Sequence, residues 1–208
     1  MTTFVLIHGA WHGGWVWRKV DAPLRAAGHR VFTPTLTGLG ERAHLASLDV
    51  DLDTHIQDIV GLLEAEELTD VLLVGHSYAG IVITGVADKA AERLRGLVYI
   101  DAFVPDSDFS LQANNPSRFE MFAKLVDDEG DDIMILPADA NMWSVEDEDD
   151  VDWLNRRMTP QPINTYRQKL TYTVHLEDVG NVTYIYAAGN ISMRLVISLD
   201  NLINMPAC

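Results

Sequence analysis

A serine hydroxyl works as a nucleophile only when the backbone presents it to substrate and a neighbouring base takes its proton. The stretch Gly75-His76-Ser77-Tyr78-Ala79-Gly80 has the composition for the first requirement. It follows an apolar run, Val71-Leu-Leu-Val74, and leads into a segment of helical character. A strand that turns directly into a helix strains the residue at its apex and needs small neighbours to close. Ser77 is therefore expected at that apex, its hydroxyl beyond the strand end and the first helical N–H groups beside it. The general pattern for such a turn is G-x-S-x-G. Ala79 occupies the place of the second glycine, so tighter helix–strand packing is expected there.

Acyl transfer at such a serine also needs two N–H donors for the oxyanion. One comes from the residue after the nucleophile, here Tyr78, and the other from a loop after an early strand. His8-Gly9-Ala10-Trp11 follows the first apolar run, and Gly9, Gly13 and Gly14 let that loop come close to the serine. Ala10 is the expected donor, with Trp11 as the alternative. Trp11, His12 and Trp153 are the candidate substrate-binding side chains, and Trp143 is a further candidate for the pocket wall.

The base and the acid are harder to place. The seven histidines are His8, His12, His29, His44, His55, His76 and His175. In this kind of site the serine precedes the acid and the histidine comes last along the chain. Only His175 follows Ser77, and it precedes the apolar run Val182-Thr-Tyr-Ile-Tyr186. Asp101, at the end of Leu97-Val-Tyr-Ile100, is the candidate acid; its bland reading is a cap on the following turn. Four readings stay open: His175 as base, a histidine from the first half as base, a catalytically impaired enzyme, or a non-catalytic ligand binder.

The elements that position these residues alternate. Phe4–Ile7, Arg30–Thr33, Val71–Val74 and Leu97–Ile100 read as buried strands, and Trp15–Ala27, Thr54–Glu66 and Ala79–Arg93 read as helices between them. That order predicts an α/β fold with a mostly parallel sheet, right-handed crossovers and helices on both faces. Residues 106–180 read as a small helical cap between core segments 1–105 and 181–208, and Met193–Leu199 as one more strand.

Composition sets the outer limits. Of 208 residues, 48% are apolar and 22% charged, as in a soluble globular protein, and no apolar run is long enough for a membrane span. The N-terminus lacks a secretory pattern and the single cysteine is Cys208, so a cytoplasmic protein without an intrachain disulfide is expected. The net charge of −16 argues against nucleic acid and anionic membrane as partners. The acidic runs at 127–132 and 146–150 read as solvated loop, because neither has calcium-loop spacing.

FVLIHGAWHGGWVW at 4–17, TPTLTGLGERAHL at 33–45, VLLVGHSYAG at 71–80 and LVYIDAFVP at 97–105 together resemble the α/β-hydrolase superfamily. The likeness is to small bacterial esterases similar to plant methylesterases and hydroxynitrile lyases, and it continues weakly at Met158-Thr-Pro-Gln-Pro162. The resemblance implies a Ser–His–acid triad, no cofactor and small, aromatic or apolar esters as substrates. Lyases of this branch carry threonine after the first-motif histidine, where this chain has Gly9, which favours the esterase reading. The family's Gly-His-Asp near the C-terminus does not occur, and the chain departs from the pattern after Gly189-Asn190. An altered or shortened final strand and helix is therefore expected, with an exposed edge that invites a homodimer.

Overall fold

The computed structural model describes residues 1–114, 116–117, 134–143 and 145–187, together with the backbone of 196–197. Its centre is a six-stranded sheet formed by β1 (Thr3–Ile7), β2 (Arg30–Phe32), β3 (Val71–His76), β4 (Leu94–Ile100), β7 (Asn181–Ile185) and β8 (Val196–Ile197). The strand order is β2-β1-β3-β4-β7-β8. All neighbouring pairs are parallel except β7 with β8, where Tyr184 pairs with Ile197 and Ile185 with Val196 in antiparallel register. The expected strand over Met193–Leu199 is thus present at its centre, and its flanks lie outside the described residues.

Strand residues alternate between two apolar layers, as the pleat requires. Val5, Ile7, Leu73, Leu97 and Tyr99 join the larger cluster with Ile56, Ile59 and Leu63 of α2 (Leu52–Ala65) and Val82, Ile83 and Val86 of α3 (Ala79–Ala90). Leu6, Val74 and Val98 face the other way, with Trp17 and Val31 and the partly buried Val16 and Leu24. The helix read at Trp15–Ala27 divides into a 3₁₀ turn, Gly14–Trp17, and α1, Arg18–Ala26. No residue of α1 is fully buried, and Val20, placed on its apolar face by spacing, is 42% exposed. Spacing reports which residues share a face, but not how closely that face is covered.

The chain leaves the sheet after Ile100 and rejoins it at Asn181. The described part between holds three short helices, Leu111–Asn114, Glu148–Asn155 and Asn164–Arg167. It also holds a small antiparallel ladder of β5 (Met134–Ile135) and β6 (Gln161–Pro162). The acidic run at 146–150 is not loose loop. The Asp147 carboxylate caps the Glu148–Asn155 helix by accepting from Asp149 and Asp150 N–H, and three carboxylates fill the first turn, where the helix dipole favours them. The run at 127–132 lies outside the described residues.

Among the described residues, no helix is long and apolar enough to cross a membrane. No group of three or more His, Cys, Asp or Glu side chains is placed to share a metal there either.

Candidate active site

Ser77 sits where β3 becomes α3, with φ at +52°. A left-handed serine costs roughly 1–3 kcal/mol, so the surroundings must over-determine it. They do so through the backbone. Ser77 N–H donates to Ile100 O at 3.2 Å, and Ser77 O accepts from Gly80 N–H at 3.1 Å and Phe103 N–H at 3.2 Å. The turn is thereby tied to its own helix and to the end of β4.

The glycines that the turn depends on are Gly75 and Gly80. A Cβ on Gly75 would stand 2.8 Å from Ala79 O, and one on Gly80 would stand 2.0 Å from Phe103 O. Ala79 itself is fully buried in the main core. The requirement for a bare backbone has moved one place along, which explains why alanine is accepted in the motif.

The His8–Gly14 loop lies against this apex. A Cβ on Gly9 would stand 3.3 Å from Ser77 Cβ and 2.9 Å from His76 Nδ1. Trp11 is in the left-handed region, φ +64°. Its N–H donates to Gln161 Oε1 at 3.2 Å, so it is not free to serve an oxyanion. The Ala10 and Tyr78 N–H groups are not engaged by any described residue.

Tyr78 carries a further role in its side chain. The phenol donates to His55 Nδ1 at 2.9 Å, while His55 Nε2–H donates to Thr37 O at 2.8 Å. The Tyr78 ring stacks on Tyr166 at 5.8 Å between centroids. Burial raises the phenol pKa well above its ordinary value, so it stays a neutral donor. His55 was one histidine among seven in the sequence. Its place beside Ile56 and Ile59 on the apolar face of α2 was the signal of a buried ring.

Three further histidines belong to β3 or to the loop after β1. His8 donates from Nδ1 to Gly9 O at 2.8 Å and accepts Leu36 N–H at Nε2, 3.1 Å. Burial holds its pKa down to about 3. His12 Nδ1–H donates to Ala10 O at 2.6 Å, and burial lowers its pKa to about 4. His76 shares its strand face with Leu72 and Val74 and meets the Trp17 ring edge-on at 6.4 Å. Burial lowers its pKa, opposed by the charge of Asp101.

His175 precedes the 3₁₀ turn Leu176–Val179 before β7, and its side chain makes no capping bond there. Because β7 runs parallel to β4, with Asn181 beside Gly96 and Ile185 beside Ile100, His175 stands at the opposite edge of the sheet from Ser77. Its candidacy as base fails on that geometry. Asp101, by contrast, follows β4 at the Ser77 edge, where its N–H donates to Ile185 O at 2.8 Å. It is exposed and left-handed, φ +43°.

The aromatic candidates form a chain rather than a single wall. Trp11 stacks on Trp143 at 5.9 Å, His12 lies 5.5 Å from Trp143 and 5.6 Å from Trp15, and Trp15 meets Trp153 edge-on at 4.9 Å. Trp11 and His12 belong to the loop beside Ser77. Trp153 meets Trp15, the residue that follows that loop, and Arg18 of α1 covers its ring at 3.9 Å. These contacts tie the Glu148–Asn155 helix to α1.

Comparison with known proteins bears on the family and the fold. A model of the α/β hydrolase family matches residues 4–199. The chain is 48% identical over 198 residues to a carbendazim hydrolyzing esterase from a Nocardioides strain, covering 91% of this chain and 81% of that protein. It is 36% identical over 129 residues to methylesterase 7 of Arabidopsis thaliana, covering 60% of this chain and 46% of that protein. Among solved structures, an extracellular α/β-hydrolase from a Paenibacillus species superposes with a TM-score of 0.75 at 27% identity, over 89% of this chain and 77% of that one.

Proposed function

The chain belongs to the α/β hydrolase family, and from that premise we propose that it hydrolyses small carboxylic esters through an acyl-enzyme on Ser77. The observation that carries the reading is the left-handed Ser77 at the β3–α3 junction, with the glycine loop packed against its Cβ. In the proposed reaction the Ser77 hydroxyl attacks the ester carbonyl and its proton passes to a base. The carbonyl oxygen, now negative, receives the Ala10 and Tyr78 N–H groups. Collapse of the tetrahedral adduct expels the alcohol, which takes up the proton, and water repeats the sequence to release the acid.

Asp101, at the same sheet edge, is the proposed acid. Both ring nitrogens of His8 and of His55 are hydrogen-bonded, and His175 stands at the other end of the sheet, so none of these three is proposed as the base. The Gly9 site bears on the choice of reaction. A threonine there would have to displace the His76 ring, and this supports ester hydrolysis over lyase chemistry. The Trp11–Trp143 pair beside the loop supports flat or apolar acyl and alcohol groups.

The test compares the wild type with Ser77→Ala on a short activated ester, on methyl esters of aromatic acids and on carbendazim, for which the Nocardioides relative is named. Loss of turnover by roughly a thousandfold or more in Ser77→Ala is expected. Equal rates in both proteins would sink the nucleophile assignment. Saturable binding of these esters with no Ser77-dependent turnover would favour a ligand-binding protein instead.

A further inference from the structure

The fragment Met158-Thr-Pro-Gln-Pro162 grips the loop that carries Ala10. Gln161 is completely buried, and both ends of its amide are engaged. Its Oε1 accepts Trp11 N–H at 3.2 Å. Its Nε2 donates to Thr165 Oγ1 at 2.8 Å, and the Thr165 hydroxyl donates onward to Pro162 O at 2.6 Å. Neighbours on the same side complete the hold on Trp11. Thr159 N–H donates to Trp11 O at 2.9 Å, and Trp11 Nε1–H donates to Ile135 O at 3.1 Å, beside Gln161 in the β5–β6 ladder.

The Gln161 bond falls on a peptide plane that is held at its other end as well. The Ala10–Trp11 peptide presents its carbonyl to His12 Nδ1–H at 2.6 Å and its N–H to Gln161. A peptide group is rigid and planar, so holding it at both ends fixes the torsions on either side. The torsion before it is the ψ of Ala10, which sets this plane against the N–Cα bond of Ala10 and so limits where the preceding peptide, with the Ala10 N–H, can lie. The torsion after it is the φ of Trp11, at +64°. A flip of this peptide would move Trp11 out of the left-handed region, which a tryptophan occupies only under constraint. It would also swing the loop's geometry away from Ser77. The flip is opposed by the Gln161 acceptor on one side and the His12 donor on the other.

We infer that Gln161 is a positioning residue for catalysis: by accepting the Trp11 N–H it holds the Ala10–Trp11 peptide in the orientation that aims Ala10 N–H at the substrate oxygen on Ser77. The inference rests on the proposed ester hydrolysis with Ala10 and Tyr78 as oxyanion donors. The cap segment is thereby part of the catalytic geometry, beyond any cover it gives to substrate.

The experiment uses Gln161→Leu, Gln161→Glu and Thr165→Val in the full chain, with 4-nitrophenyl acetate as substrate and a short alkyl boronic acid as a tetrahedral probe of Ser77. Thermal unfolding is recorded for each variant. Gln161→Leu removes the acceptor and is expected to lower kcat roughly 10- to 100-fold, less than outright removal of an oxyanion donor, with KM within about twofold. Boronic acid affinity should fall in parallel. Gln161→Glu keeps an acceptor at the same position and should recover most of kcat, which a purely structural role would not give.

Thr165→Val removes the hydroxyl that orients the amide. It should lower kcat by roughly threefold to tenfold, at unchanged KM. It carries the test alone if Gln161→Leu does not fold. A folded Gln161→Leu or Thr165→Val with wild-type kcat and boronic acid affinity overturns the inference. Wild-type and Ser77→Ala rates are measured first. If those are equal, the nucleophile reading fails and takes the Gln161 role with it; if they differ, only the Gln161 role is at stake.

Discussion

At the residue scale the site is governed by places where a side chain is forbidden. Gly80 has no freedom to gain a methyl group, because its Cβ would fall 2.0 Å from the Phe103 carbonyl oxygen, a backbone atom that cannot rotate away. Phe103 N–H also donates to Ser77 O. Gly80→Ala is therefore expected to destabilise the protein by about 3 kcal/mol, the upper end for overpacking, and to reduce turnover even in the molecules that remain folded. Denaturant midpoints and active-site titration separate the two effects. A variant of wild-type stability would show that the turn can widen, and the strain argued for Ser77 would lose its cause. Ala79→Gly at the neighbouring position, by contrast, removes only a buried methyl and relieves no contact. The motif written as G-x-S-x-G is thus satisfied here as G-x-S-x-x-G, a distinction that only the packing distances reveal.

At the element scale the question is what the cap holds. Trp153 in the Glu148–Asn155 helix is 8% exposed, lies edge-on to Trp15 and is covered by Arg18, while Lys19 pairs with Asp150 from α1 at 2.5 Å. The ion pair is surface-exposed and worth little, so the ring carries the attachment. Trp153→Ala is expected to cost about 3 kcal/mol by urea denaturation. It should also leave kcat/KM per folded molecule within about threefold, since the ring packs on Trp15, the residue that follows the loop beside Ser77, and under Arg18. A fall of a hundredfold would place Trp153 in the pocket. The sequence was informative about elements wherever local pattern decides the outcome. The parallel strands around Ser77, their helices and the close approach of the Gly9 loop were all readable, because apolar runs, helical spacing and small residues act locally. Gln161 was out of reach, since its partner Trp11 lies 150 residues away along the chain. The burial of His55 could be read from its place on the apolar face of α2, but a phenol partner 23 residues on leaves no mark in spacing. The error over the run at 146–150 has a physical origin too. Consecutive acids describe a solvated loop and the first turn of a helix equally well until a cap such as Asp147 is seen in place.

At the scale of the whole molecule the buried histidines link stability to pH. His8, His12 and His55 are held neutral by burial, with pKa values of about 3, 4 and 4, against 6.5 for the unfolded side chain. Between pH 6.5 and about 4 the unfolded chain therefore binds protons that the folded chain refuses. Stability rises with pH through that window and is lost as pH falls, at about 1.4 kcal/mol per pH unit for each histidine. Acting together, they amount to a limiting slope of about 4 kcal/mol per unit, large against the stability of a typical domain. Carboxylate protonation works differently in the same range: it lowers the net charge of −16 and eases self-repulsion, a contribution that added salt screens. Urea midpoints at pH 7, 6 and 5 in high salt thus isolate the histidines, and a steep fall with acidification is expected. His55→Gln refines the test, because its side-chain N–H can still donate to Thr37 O in place of Nε2. That variant should lose some stability at pH 7 through the weakened Tyr78 contact, yet its acid slope should be smaller by up to about 1.4 kcal/mol per pH unit. An unchanged slope would mean that His55 takes up its proton in the folded state. The Tyr78–His55–Thr37 relay behind the Ser77 turn would then be a charged bridge, not the neutral one inferred from its burial.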